Sequence, residues 1–294
     1  MTHSDKITDN SSAGTQAVSQ VQDQLASVLE GLLDRNFDAS QYQTALRNAL
    51  KEEDAALQKS GMALQGSTAA IGLLDTAKGL LVTADLGDSH IVLADGQPEA
   101  DQQWQISRLS ALQKPDSEME RQRIVDAGGE VKYQYGIARV GKLTLDLYLT
   151  RRLLPARGVS TVSANTETGG LAMSRALGDS QLKQPHVGYM NEDAKSQNYR
   201  GDTGTQKDRR VTGNLVSNQA HVAAMELHGR SVLLLASDGI GEAFNAEDAA
   251  RQAAEMHEQG VSAQKIADRL TKQAMRLPVP DNATVIIVVI DEAS

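Results

Sequence analysis

Four aspartates stand where an apolar run gives way to a turn. Asp88 lies in Gly87-Asp88-Ser89, Asp179 follows Gly178, Asp238 ends the run SVLLLAS, and Asp281 precedes Asn282 and the last aliphatic run. Carboxylates at the ends of buried strands suit a hard divalent cation, which takes oxygen ligands from rigid supports. The competing reading is turn chemistry, because Asp beside Gly or Asn is common at strand ends. Other chemistries lack their residues. With no cysteine there is no disulfide, no thiolate nucleophile and no Cys-based metal site. The six histidines form no HExxH pair, which argues against a zinc hydrolase. There is no GxxxxGK[ST] loop and no GxSxG elbow. Gly128-Gly129 reads better as a helix stop than as a phosphate loop. His90 and His186 are candidate proton carriers, with local packing as the competing reading.

The background is that of a globular protein: 294 residues, 40% hydrophobic and 23% charged. Aromatic residues are only 3%, so the core must be built from Leu, Val, Ile and Ala. A net charge of −9 gives no general attraction for nucleic acid or an anionic membrane. The polar opening MTHSDKITDN has no basic-then-apolar leader and no run reaches membrane length, so an intracellular, cytoplasmic protein is expected.

The elements that must hold the aspartates follow from periodicity. Residues 1–19 are polar and aperiodic and read as a flexible tail, ahead of a domain spanning 20–294. Val21, Leu25, Val28, Leu29, Leu32 and Leu33 share one helical face, and Tyr42, Leu46, Leu50 and Leu57 another. Short apolar runs at 69–74, 80–85, 91–94, 222–227, 232–236 and 284–290 read as antiparallel strands, with Asp95-Gly96 as a tight turn. Ser117 and Glu120 form the pattern of a capping box for a helix stopped by Gly128. Asn245 and Ser262 are placed as N-caps of helices over 246–259 and 263–276. Residues 151–169 and 187–216 are polar and aperiodic, and the second reads as a flap-like mobile insertion. There, Arg200, Lys207, Arg209 and Arg210 are candidate phosphate contacts, although interspersed acids favour a solvated loop. Clustered strands with paired helices between them give an α+β layered fold.

Several segments in order resemble motifs of the metal-dependent serine/threonine protein phosphatases of the 2C type. They are GSTAAIGLL at 66–74, VTADLGDSHIVLA at 82–94, LSALQKPDSEMERQRIVDAGGEV at 109–131, GLAMSRALGDSQLKQP at 170–185, VLLLASDGIGEAF at 232–244 and DNATVIIVV at 281–289. The resemblance implies a two-sheet β-sandwich flanked by helix pairs, in α-β-β-α layers, with a two-metal site between the sheets. There a bridging water, acidified by Mg²⁺ or Mn²⁺, attacks a phosphoserine or phosphothreonine. By motif, Asp238 and Asp281 correspond to metal ligands, whereas Asp88 and Asp179 correspond to framework residues.

The departures from that pattern bear on activity. The family's DGHGG motif, whose Asp bridges both metals, has no counterpart, since neither Asp95-Gly96 nor Asp238-Gly239 is followed by His. DHKP becomes Leu112-Gln113-Lys114-Pro115, the Trp-Asp after SDG becomes Gly241-Glu242, and the Arg of GDSR becomes His90. Two carboxylates without a bridge imply weak, single-site Mg²⁺ or Mn²⁺ binding and no poised nucleophile. The expectation is a catalytically impaired pseudophosphatase that binds a protein partner or phosphoprotein as a scaffold. The alternative is an active enzyme with ligands supplied by Asp5, Asp9, the flap or a second subunit. A sandwich without the family's first strands has unpaired edges, so a homodimer through sheet edges is expected.

Overall fold

A computed structural model describes residues 15–34, 36–59, 65–96, 104–141, 170–184, 211–277 and 281–291. Contacts divide the chain into two compact units: Met1–Leu112 with Ala176–Gly178 and Asn218–Ser294, and Gln113–Arg175 with Asp179–Ser217. The chain leaves the first unit and returns to it twice, which no composition change signals.

The first unit is a layered sandwich. One sheet has the order β2-β3-β9, from Ala69–Asp75 (β2), Leu80–Leu86 (β3) and His221–Glu226 (β9). The other has the order β11-β10-β4-β5, from Val285–Ile290 (β11), Ser231–Ala236 (β10), His90–Gly96 (β4) and Trp104–Arg108 (β5). Neighbouring strands in both sheets are antiparallel. A two-residue pair, Gly66–Ser67 (β1) with Leu177–Gly178 (β8), completes this unit. Its Gly178 N–H donates to the buried Asp54 carboxylate at 2.8 Å, and Asn218 Nδ2 donates to the same group at 2.7 Å.

Side-chain alternation explains the layers. Along β10, Val232, Leu234 and Ala236 join the core under the helices, whereas Leu233 and Leu235 join the core between the sheets. Both faces are covered, so all six residues are buried and the strand reads as one aliphatic run. Helices Thr15–Leu32 (α1) and Ala39–Lys59 (α2) cover the first sheet through Leu25, Leu29, Leu46 and Leu50. Ala246–Glu258 (α5) and Ala263–Ala274 (α6) cover the second. The face of α5 is a row of buried alanines, Ala246, Ala249, Ala250, Ala253 and Ala254, which lets the helix approach the sheet closely. Small helix faces and long aliphatic strands build a dense interior with few aromatics.

In the second unit, Glu118–Asp126 (α3) packs with the hairpin Glu130–Gln134 (β6) and Ile137–Gly141 (β7). Its knot is Glu120, 3% exposed. Arg123 Nε and Nη2 donate to Oε2 at 3.0 and 2.9 Å, and Arg175 pairs with Oε1. Arg123 also donates to the carbonyls of Asn214, Ser174 and Leu215. Burial pushes the Glu120 carboxyl up, but the Arg175 hydrogen bond and the Arg123 charge outweigh it and hold it below the usual range.

Several expectations need correction. Helix α1 begins at Thr15 rather than at 20. The capping box is not formed: Ser117 Oγ donates to the Lys114 carbonyl at 2.9 Å, and Glu120 is held by the two arginines. Asp95 and Gly96 are not a turn but the last residues of β4, paired with Gln105 and Trp104. The Asp95 carboxylate accepts the Ser231 hydroxyl at 2.7 Å, so its turn propensity yields to cross-strand pairing. Residues 211–216 are not part of a flap: Val211, Leu215 and Val216 are buried, and the Leu215 N–H donates to the Leu182 carbonyl. The rest of that insertion, with Arg200, Lys207, Arg209 and Arg210, lies outside the described residues, as do Asp5, Asp9 and His186.

Candidate functional site

The site forms where the second sheet releases its chain. After Ala236, Ser237 leaves the strand and Asp238 opens the short helix Asp238–Ala243 (α4). Ala236 pairs with Val285 at the start of β11, so the loop ahead of β11 meets the start of α4. Three hydrogen bonds hold the two segments together. Ser237 N–H donates to the Thr284 carbonyl at 3.0 Å, Thr284 N–H donates to Ser237 Oγ at 3.0 Å, and Ser237 Oγ donates to the Asn282 carbonyl at 3.2 Å. Gly239 makes this approach possible, because a Cβ there would run into the Asn282 carbonyl. Each acid is oriented by the next residue. Gly239 N–H donates to Asp238 Oδ1 at 2.9 Å and Asn282 N–H to Asp281 Oδ1 at 2.7 Å.

The structure therefore places Asp238 and Asp281, the two predicted ligands, on adjoining segments. It adds two acids that sequence reasoning set aside. Asp88, in the turn from β3 to β4 and 4% exposed, and Glu242 on α4 both act on Asp238. Burial, then the charges of Asp88, Asp281 and Glu242, push the Asp238 carboxyl up to about 6, against a weaker opposing effect of the Gly239 N–H. Asp179 belongs to the other unit, where it adopts a left-handed conformation (φ 47°) ahead of a 3₁₀ turn.

This charge is what a divalent cation would neutralise. The donors fit one hydrated cation: Asp238 and Asp281 offer hard oxygens, and Mg²⁺ is satisfied by one or two carboxylates plus waters. Among the described residues no group of three or more His, Asp or Glu side chains is placed to hold a metal ion. When bound, one cation would supply charge neutralisation and Lewis acidity.

Two departures noted separately in the sequence meet in space. A Cβ at Gly241 would overlap the His90 imidazole, so the ring occupies the volume a side chain at 241 would take. His90 is 7% exposed, and Arg108 Nη1 lies 2.7 Å from its Nδ1. With the guanidinium as donor, Nδ1 is the acceptor in this contact. Arg108 is clamped in turn by Glu247, through Nε–Oε1 at 2.7 Å and Nη2–Oε2 at 2.6 Å. Those hydrogen bonds hold the Glu247 carboxyl below its usual range. The His90 ring thus packs against α4, and no local signal connects it to position 241.

A family model for protein phosphatase 2C matches residues 3–283. Among curated proteins, the chain is 28% identical over 252 residues to Probable protein phosphatase 2C 69 of Arabidopsis thaliana, covering 85% of this chain and 51% of that protein. It is 24% identical over 262 residues to Protein spalten of Dictyostelium discoideum, covering 87% and 21%. The chain thus spans no more than about half the length of these two relatives. Among solved structures, serine-threonine phosphatase 2C of Toxoplasma gondii aligns with a TM-score of 0.62 at 21% identity, over 97% of this chain and 83% of that one. A C. elegans sex determining protein aligns with a TM-score of 0.64 at 18% identity, over 97% and 55%. At these identities the structural likeness establishes the fold, and the family model carries the assignment: this chain belongs to the protein phosphatase 2C family.

Proposed function

We propose that this chain is a catalytically impaired member of the family, a pseudophosphatase that keeps one weak divalent-cation site and acts by binding a protein partner or phosphoprotein. The carrying observation is the state of Asp238. Four acids, Asp88, Asp238, Glu242 and Asp281, concentrate charge there, yet no three ligating side chains converge among the described residues. A two-metal hydrolase needs a carboxylate shared by both ions to place the attacking water. Asp238 and Asp281 hold one hydrated cation without that bridge, which neutralises charge but does not poise a nucleophile. Leu112 supports the same reading, because it offers no oxygen donor where the family's DHKP carries Asp.

The test is hydrolysis of an aryl phosphate and a phosphothreonine peptide with and without millimolar Mn²⁺ or Mg²⁺, beside Asp238→Asn. The expected result is turnover no greater than that of Asp238→Asn, with Mn²⁺ binding detected calorimetrically in the wild type and weakened in the variant. Metal-dependent turnover abolished by Asp238→Asn would sink the proposal.

A further inference from the structure

The two sheets of the first unit are offset by a strand. β2 lies across β10 and β4, and a Cβ on its Gly72 would sit 3.0 Å from Leu233 Cδ2 and 3.9 Å from Leu235 Cδ2. β2 is the outer strand of its sheet, whereas the opposite sheet continues past β10 to β11. Burial follows this step. Every residue of β10 is buried, but in β11 only Ile287 is. Val285, Ile287 and Val289 pack under the helices. Ile286 and Val288 face the intersheet core beside Leu74 of β2, and all three stay half-buried, as do Val285 and Val289 on the helix side of this edge strand. Among the described residues, the backbone edge of β2 and the inner face of β11 therefore form a slot one strand wide. Neither strand carries the Lys or Pro that blunts an exposed edge: β2 reads AAIGLLD and β11 reads VIIVVI.

The slot also has a charged end. β2 starts opposite Leu86, just before the Asp88 turn, and β11 starts opposite Ala236, just before Asp238. Both strands thus begin at the end where the charges of Asp88 and Asp281 act on Asp238.

We propose that this slot accepts one extended segment of a partner protein, with alternating aliphatic side chains and a Lys or Arg at the end beside Asp238 and Asp281. The segment would hydrogen-bond along β2, lay its aliphatic face on Ile286 and Val288, and neutralise the acidic end. A second copy of this chain fits less well. Pairing β2 with its symmetry mate drives each β11 into the second sheet of the mate. Pairing β11 with its mate leaves a gap two strands wide above them. The proposal deepens the scaffold reading and rests on it only for the purpose the binding serves. Its test uses neither metal nor phosphate ester, so the two can fail separately.

The probe is a fluorescein-labelled octapeptide alternating Val and Thr with one terminal Arg, made with the Arg at either end and titrated in EDTA. One orientation is expected to bind with micromolar affinity by anisotropy and to slow hydrogen exchange at β2. A central Val→Pro in the peptide, or the nearly isosteric Val288→Thr in the protein, should each weaken binding at least tenfold. Half-molar NaCl should weaken it several-fold. Unchanged thermal unfolding of Val288→Thr would exclude misfolding, and the peptide variant is independent of folding altogether. No saturable binding, or equal binding of the Pro peptide, overturns the proposal. So does protection of β2 without peptide, in a monomer (the chain fills its own slot) or in a dimer (a second copy does).

Discussion

Replacing Asp238 by Asn should make the metal-free protein more stable at neutral pH, although it removes a proposed metal ligand. Burial and three neighbouring acids raise this carboxyl from 3.8 to about 6. The folded state therefore holds the proton more tightly than the unfolded state. The resulting stability is fully present below pH 3.8, is lost as pH rises toward 6, and stays lost above it. The full shift corresponds to about 3 kcal/mol at about 1.4 kcal/mol per unit. The group is half-buried and partly screened by solvent, which leaves about 1–2 kcal/mol. Asn keeps an oxygen for the Gly239 N–H and removes the charge. In EDTA at pH 8, Asp238→Asn should melt about 2–6 °C above the wild type, with the difference vanishing near pH 4. Mn²⁺ at about ten times its Kd would stabilise the wild type by about 1.4 kcal/mol and close most of the gap. A variant less stable than the wild type at pH 8, or a gap of the same size at pH 4 and 8, would refute the reasoning.

Gly241→Ala should lower stability by about 1–3 kcal/mol, because its Cβ meets the His90 ring, and adding His90→Ala should recover part of that in a urea double-mutant cycle. Glu120→Ala leaves Arg123 and Arg175 facing each other without their anion and should cost about 3 kcal/mol, read from the urea midpoint. Because Glu120 is held below its ordinary value, its contribution is present above pH 4.5 and lost as pH falls below it, so wild type and Glu120→Gln should converge in acid. Asp54→Ala orphans the Gly178 N–H and the Asn218 amide, and should cost about 2 kcal/mol while speeding hydrogen exchange at Gly178.

Much of the scaffold is legible in the chain itself, because it rests on short-range pattern. The aliphatic runs that become β2, β3, β4, β9, β10 and β11 sit within one or two residues of their observed limits. Asn245 caps α5 with its side chain accepting from the Glu247 and Asp248 N–H groups, as its position before an amphipathic run predicts. Strand β5 and the β6–β7 hairpin escaped notice because their residues alternate weakly. The exposed Tyr133, Tyr135 and Ile137 of that hairpin give no clear inward face.

The order of residues alone shows which side chains could carry chemistry and which elements would hold them: Asp238 at the end of one aliphatic strand, Asp281 before another. Tertiary structure decided what those residues became. It stitched the two loops through Ser237, brought Asp88 and Glu242 to bear on Asp238, and set His90 in the space Gly241 leaves open. It also turned Asp95-Gly96 into strand and left the inner face of β11 half-covered beside the edge of β2. The division has a physical cause. Propensity and alternation act over a few residues, whereas charge coupling and packing depend on distances between groups far apart in the chain, which only the fold sets.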